Sequence, residues 1–123
     1  MDEISIARRD PRDDERALLD HLLDRTSHGF ELLREQAARA QVTNSSLWLI
    51  EFWVPRSAPA AIDVEGRSGR VVSRAVSEST DRWADAFLWL TEDGYINTIE
   101  IMWPDGERNR LPRPDELMPP IPP

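Results

Sequence analysis

Leu47-Trp48-Leu49-Ile50-Glu51-Phe52-Trp53-Val54-Pro55 is the stretch whose reading decides the fold. Its apolar, β-branched and aromatic residues follow a period of two, which predicts a strand over 47–54 that Pro55 ends. Trp48, Ile50, Phe52 and Val54 form a wholly apolar face, whereas Leu47, Leu49, Glu51 and Trp53 form a mixed one. One face is made for a core and the other is not.

Upstream the period is helical. Pro11 and the triplet Asp13-Asp14-Glu15 suit a helix start, where negative charge meets free amide groups. Leu18, Leu19, Leu22 and Leu23 then make one stripe, so a helix is expected over 13–25. Thr26-Ser27-His28-Gly29 breaks it, with Ser27 as a candidate cap. Phe30, Leu33, Ala37 and Ala40 predict a second helix over 29–40. Downstream, three more strands are expected at 70–77, 85–91 and 95–103, the last two joined by Glu92-Asp93-Gly94, a hairpin signal. Pro104-Asp105-Gly106 reads as a closing turn. The expected class is α+β: two N-terminal helices packed on a mainly antiparallel sheet of about four strands, a β-meander. Residues 1–12 read as a flexible arm, 13–111 as a single domain, and 112–123, with six of the ten prolines, as an extended or disordered tail.

Composition narrows the chemistry. The 123 residues contain no cysteine, which removes disulfides, thiol nucleophiles and thiolate metal sites. All 15 basic residues are arginine, a pattern of GC-rich genomes that also removes Schiff-base lysines and phosphate loops of the GxxxxGK[ST] type. No apolar run is long enough for a membrane span and no secretory signal is visible, so a soluble cytoplasmic protein is expected. The net charge is −8, concentrated after residue 75, where ten acids face four arginines. This disfavours nucleic acid, which basic side chains bind by displacing phosphate counterions, and suits a basic protein partner. Acidity also serves plain solubility.

The pieces Ala17-Leu18-Leu19-Asp20-His21-Leu22-Leu23 and Gly29-Phe30-Glu31-Leu32-Leu33-Arg34-Glu35-Gln36 precede the Trp-rich strand. Asp93-Gly94-Tyr95-Ile96-Asn97-Thr98-Ile99-Glu100-Ile101 closes the series with Trp103, Asp105-Gly106-Glu107 and Leu111-Pro112-Arg113-Pro114. Over residues 15–118 this order resembles a family of small actinobacterial α+β proteins, a domain of unknown function. The resemblance implies no activity, no cofactor and no catalytic residue. In size and charge the chain also resembles immunity proteins of bacterial toxin systems.

No catalytic, cofactor or metal residue is assigned. His21 and His28, with Asp24 between them, nearly share a helix face, but the break at Ser27-Gly29 separates them and a third strong ligand is missing. No strained Ser turn of the G-x-S-x-G kind occurs. Glu51 and Glu100 sit among apolar neighbours on strands that are candidates for adjacency; facing each other in a cleft, they would allow general-acid work or small-molecule binding. Pointing to solvent, they would not. Tryptophan is in surplus at Trp48, Trp53, Trp83, Trp89 and Trp103. Two helices cover one sheet face, which leaves either half-exposed Trp on the open face or a second core beneath the Pro-rich tail. The expected function is therefore non-enzymatic protein binding, of the kind an immunity protein shows toward a basic toxin. Its candidate interface is Trp53, Trp89, Glu51, Glu100, Asp105 and Glu107. A cleft around Glu51 and Glu100, or a homo-oligomeric subunit, are the alternatives.

Overall fold

Alternating apolar residues need a cover, and two short helices provide it on one side of a five-stranded antiparallel sheet. The computed structural model describes residues 7–77, 84–103 and 110–123. In chain order the elements are α1 (Asp13–Leu22), α2 (Phe30–Ala37), β1 (Gln41–Ser45), β2 (Leu49–Trp53), β3 (Val71–Val76), β4 (Asp85–Leu90) and β5 (Ile96–Met102), followed by a 3-10 turn at Pro114–Glu116. The spatial order is β1-β2-β5-β4-β3. The α+β class holds, with five strands rather than four. The continuous meander is broken: β3-β4-β5 is one, but the connection over 54–70 carries the chain from β2 to the far edge.

The extra strand comes from splitting the expected 47–54 strand from its neighbour. Ser46 Oγ accepts hydrogen bonds from the backbone N–H of Trp48 and Leu49, both at 3.2 Å, and so folds 46–48 into a turn. The preceding Gln41–Ser45 then pairs with β2. Trp48, expected on the apolar face, sits in that turn and is 54% exposed.

Both helices end earlier than their stripes suggested, and Gly29, at φ 96°, caps α2 in place of Ser27. α1 packs on β3 and β4, and α2 on β5. Leu18, Leu19, Leu22, Phe30 and Leu33 meet Ile50, Ala86, Leu88, Ile99 and Ile101 in one buried core. Fully buried Gln36 ties this side together. Its Nε2 donates to the carbonyls of Pro59 (2.7 Å) and Gly94 (2.8 Å), and its Oε1 accepts from the N–H of Ile96 (2.8 Å). At Gly94 (φ 89°) a methyl group would come within 2.8 Å of the Ala61 carbonyl, so the expected hairpin turn is also a packing contact.

Both sheet edges meet terminal segments. At the β1 edge Arg9 and Val42 exchange backbone hydrogen bonds of 3.1 and 2.7 Å. At the β3 edge Arg74 and Ile121 exchange bonds of 3.0 and 2.8 Å, and Met118 N–H donates to Val76 at 2.8 Å. The Pro-rich segment over 112–123, expected as an extended or disordered tail, holds a 3-10 turn at Pro114–Glu116 and runs along this edge with Leu117 buried. Exposed ladders invite pairing with other chains; the tail occupies the β3 edge, and Arg9 meets the β1 edge at Val42. No helix among the described residues is long and apolar enough to cross a membrane.

Candidate functional site: the open face of the sheet

Strand alternation sends Leu49, Glu51 and Trp53 of β2 away from the helices, with Thr98, Glu100 and Met102 of β5 and Asp85, Phe87 and Trp89 of β4. Register joins them into rows. Leu49 lies opposite Glu100, and Glu100 opposite Phe87; Glu51 lies opposite Thr98, and Thr98 opposite Trp89. The expected adjacency of the two glutamate strands is therefore real. Glu51 and Glu100 occupy diagonal positions on one face, a separation of roughly 7–8 Å between Cα atoms.

The face is aromatic and partly uncovered. Trp53 is 37% exposed and Met102 51%; Leu49, Phe87 and Trp89 are half-buried. Two of its aromatic rings carry a guanidinium from the chain itself. Arg8 lies 3.8 Å from the Trp53 ring centroid, and Arg74 lies 5.4 Å from that of Phe87. Arg74 also forks onto Asp85, with Nε at 2.9 Å from Oδ1 and Nη2 at 2.7 Å from Oδ2.

Carboxylates divide into two groups. Among the described residues, Glu15, Glu51, Asp85, Glu100 and Glu116 are buried or half-buried. Three of them meet an arginine. Glu15, with no exposed side-chain surface, receives both nitrogens of Arg9 at 2.6 and 2.9 Å and the backbone N–H of Arg12 at 2.8 Å. Burial opposes its charge, but these donors outweigh burial and hold its pKa at about 2. Arg110 grips Glu116 at 2.5 and 2.8 Å and, with Arg113, also holds it at about 2. Asp85 has Arg74. Glu51 and Glu100 have no such partner among the described residues. Both belong to the open face.

A hollow of about 240 Å³ opens beside Glu100, lined by Leu49, Arg70, Trp89, Leu90, Asn97, Thr98 and Glu100. Glu51 does not line it. A second hollow, about 390 Å³, lies between α1, α2 and the tail at Asp20, His21, Leu23, Asp24, Arg34 and Pro114. Its arginine is committed to the fold: Arg34 donates to the carbonyls of Leu23 and Arg25, both at 2.8 Å, closing the end of α1.

His21 reaches the Met118 carbonyl at 2.8 Å and His28 lies 3.7 Å from Asp63, so the two rings serve different contacts. No group of three or more His, Asp or Glu able to hold a metal occurs among the described residues. Asp105, Glu107, Trp83 and the turn at Pro104-Asp105-Gly106 lie outside the described residues. The Arg9–Glu15 clamp went unforeseen, because the first-turn acids signal only a helix start and no local pattern points to Arg9. No known family, curated protein or solved structure matches the chain.

Proposed function

We propose that the chain is a non-enzymatic protein-binding module that takes a basic protein partner across the open face of its sheet. One observation carries the reading: among the described residues, the other buried or half-buried carboxylates meet an arginine, while Glu51 and Glu100 on an aromatic face do not. Removing part of a carboxylate's hydration without a partner is unfavourable, so a complementary cation arriving from outside is the natural completion. The occupied β3 edge supports docking across the face rather than strand addition there. The net charge of −8 would speed the approach of a basic protein. A basic toxin neutralised by an immunity-type protein has this chemistry, and Asp105 and Glu107 would add to the same attraction. A second copy of the chain fits less well, because an isologous contact sets this acidic face against itself.

The test is capture from an extract of the encoding organism by immobilised protein and by its Glu51→Arg/Glu100→Arg variant. The reading expects a basic protein held by the first, released by moderate salt and absent from the second. Equal retention by both would remove the face from the account.

A further inference from the structure

We infer that the hollow between Trp89 and Glu100 is a socket for an arginine side chain of the partner. The inference rests on the open face being the binding surface, and it names the group that surface receives.

The face itself supplies the pattern. Arg74 stacks on Phe87 and forks onto Asp85 in β4, so one guanidinium satisfies an aromatic face and a carboxylate at once. Arg8 covers Trp53 on the same face, at the β2 strand. Trp89 is the aromatic of this face with no cation over its ring among the described residues, and Glu100 sits diagonal to it on the adjoining strand. Between them lies open space of about 240 Å³, walled by Leu49 and Thr98. An aromatic face, an unpaired carboxylate and room between them are the elements that Arg74 uses one strand away, with the arginine missing.

The chain's own Arg70 does not fill the place. It lines the hollow, but its ion pair is with exposed Glu92 at 3.7 Å, and among the described residues it makes no ion pair with Glu100 and no ring contact with Trp89. Arginine fits better than lysine, because a planar guanidinium can stack on the indole while its nitrogens fork onto the carboxylate, and an ammonium can do only one of these well.

The experiment needs no identified partner. Uniformly ¹⁵N-labelled protein is titrated with the capped tripeptide acetyl-Gly-Arg-Gly-amide, and with its citrulline and lysine counterparts. The indole N–H of Trp89 is assigned by its loss in Trp89→Phe. A socket predicts saturable movement of that signal and of the Thr98 and Asn97 amides with the arginine peptide. Binding should be about tenfold weaker for the citrulline peptide and in Glu100→Gln, a change that keeps shape and removes charge. Equal responses to arginine and citrulline, no effect of Glu100→Gln, lysine binding as tightly as arginine, or shifts centred on Trp53 would each overturn the socket. Should the titration fail while Glu51→Arg/Glu100→Arg still abolishes capture, the socket falls and the face remains. Should neither respond, both fall.

Discussion

The helix-covered side of the sheet and its open face differ in their carboxylates: the open face pairs Asp85 with Arg74 but leaves two glutamates without an arginine among the described residues. Beneath the helices, Gln36 uses both ends of its amide and Glu15 is gripped by Arg9 and the Arg12 amide. On the open face, Glu51 and Glu100 are half-buried beside Trp89, Phe87 and Leu49 without an arginine among the described residues. Chain composition does not explain the difference, since 15 arginines are present and several reach this very face. The contrast separates polar groups that serve the fold from polar groups that the fold does not use.

The largest expected effect breaks the covered side. Gln36→Leu removes three hydrogen bonds and takes the side-chain partner from the Pro59 carbonyl and the Ile96 N–H, while the Gly94 carbonyl keeps the Ala61 N–H at 2.8 Å, so denaturant titration should show a loss of about 2–4 kcal/mol. A loss under about 1 kcal/mol would mean that the amide is replaceable and that the covered face is not held as described.

Glu15→Gln comes next. It leaves Arg9 without its counter-charge, but Arg9 keeps 43% of its side-chain surface in water, so the cost should be about 2–3 kcal/mol rather than that of a fully buried break. The pH dependence has a definite sign. The folded pKa of about 2 lies below the ordinary value of 4.5, so the folded state holds the proton less tightly than the unfolded chain. The stabilisation is complete above pH 4.5 and fades as pH falls towards 2. Glu116, also held at about 2, adds to the same window. Stability measured from pH 6 to 2 should fall less steeply in Glu15→Gln than in the wild type; parallel profiles would refute the clamp.

Legibility in the sequence followed the same division. The open face was readable in part: alternation at 49–53 places Glu51 and Trp53 on one side of their strand, whereas the place of Glu100 on that face follows from the pairing of β2 with β5. β1 was not readable: Gln41–Ser45 has Val42 as its one large apolar residue, and it becomes a strand through pairing with β2 and Arg9. Gln36 lies outside the Phe30-Leu33-Ala37-Ala40 stripe, and its buried amide is met by Pro59 of the 54–70 connection and by Gly94 and Ile96, partners far away in sequence. Leu117 and Ile121 were hidden among prolines that suggest free chain, yet Met118 and Ile121 still carry the N–H groups that pair with β3. Local pattern reports faces; long-range partners lie beyond it.

Trp53→Ala sharpens the comparison at an intermediate size. The ring is partly exposed and carries Arg8, so its loss should cost about 1–2 kcal/mol, below the 3–5 kcal/mol typical of a core tryptophan. A core-sized loss would return Trp53 to the fold and weaken its place in the interface.

Ser73 tests the covered side from the other direction. Its hydroxyl is buried on β3 without a hydrogen-bond partner among the described residues. Ser73→Ala removes an unsatisfied group and should leave stability unchanged or raise it by up to about 1 kcal/mol. A clear loss in thermal unfolding would reveal a bond to that hydroxyl and contradict its isolation.

The most direct measurement is a denaturant titration of Glu51→Gln/Glu100→Gln against the wild type, with no partner present. If these carboxylates are kept for an incoming cation, the isolated protein does not need them. Stability should then stay within about 0.5 kcal/mol or rise as two unpaired charges leave a half-buried face. A loss greater than about 1 kcal/mol would show that Glu51 and Glu100 support the fold, and would contradict the claim that the open face holds them for a partner.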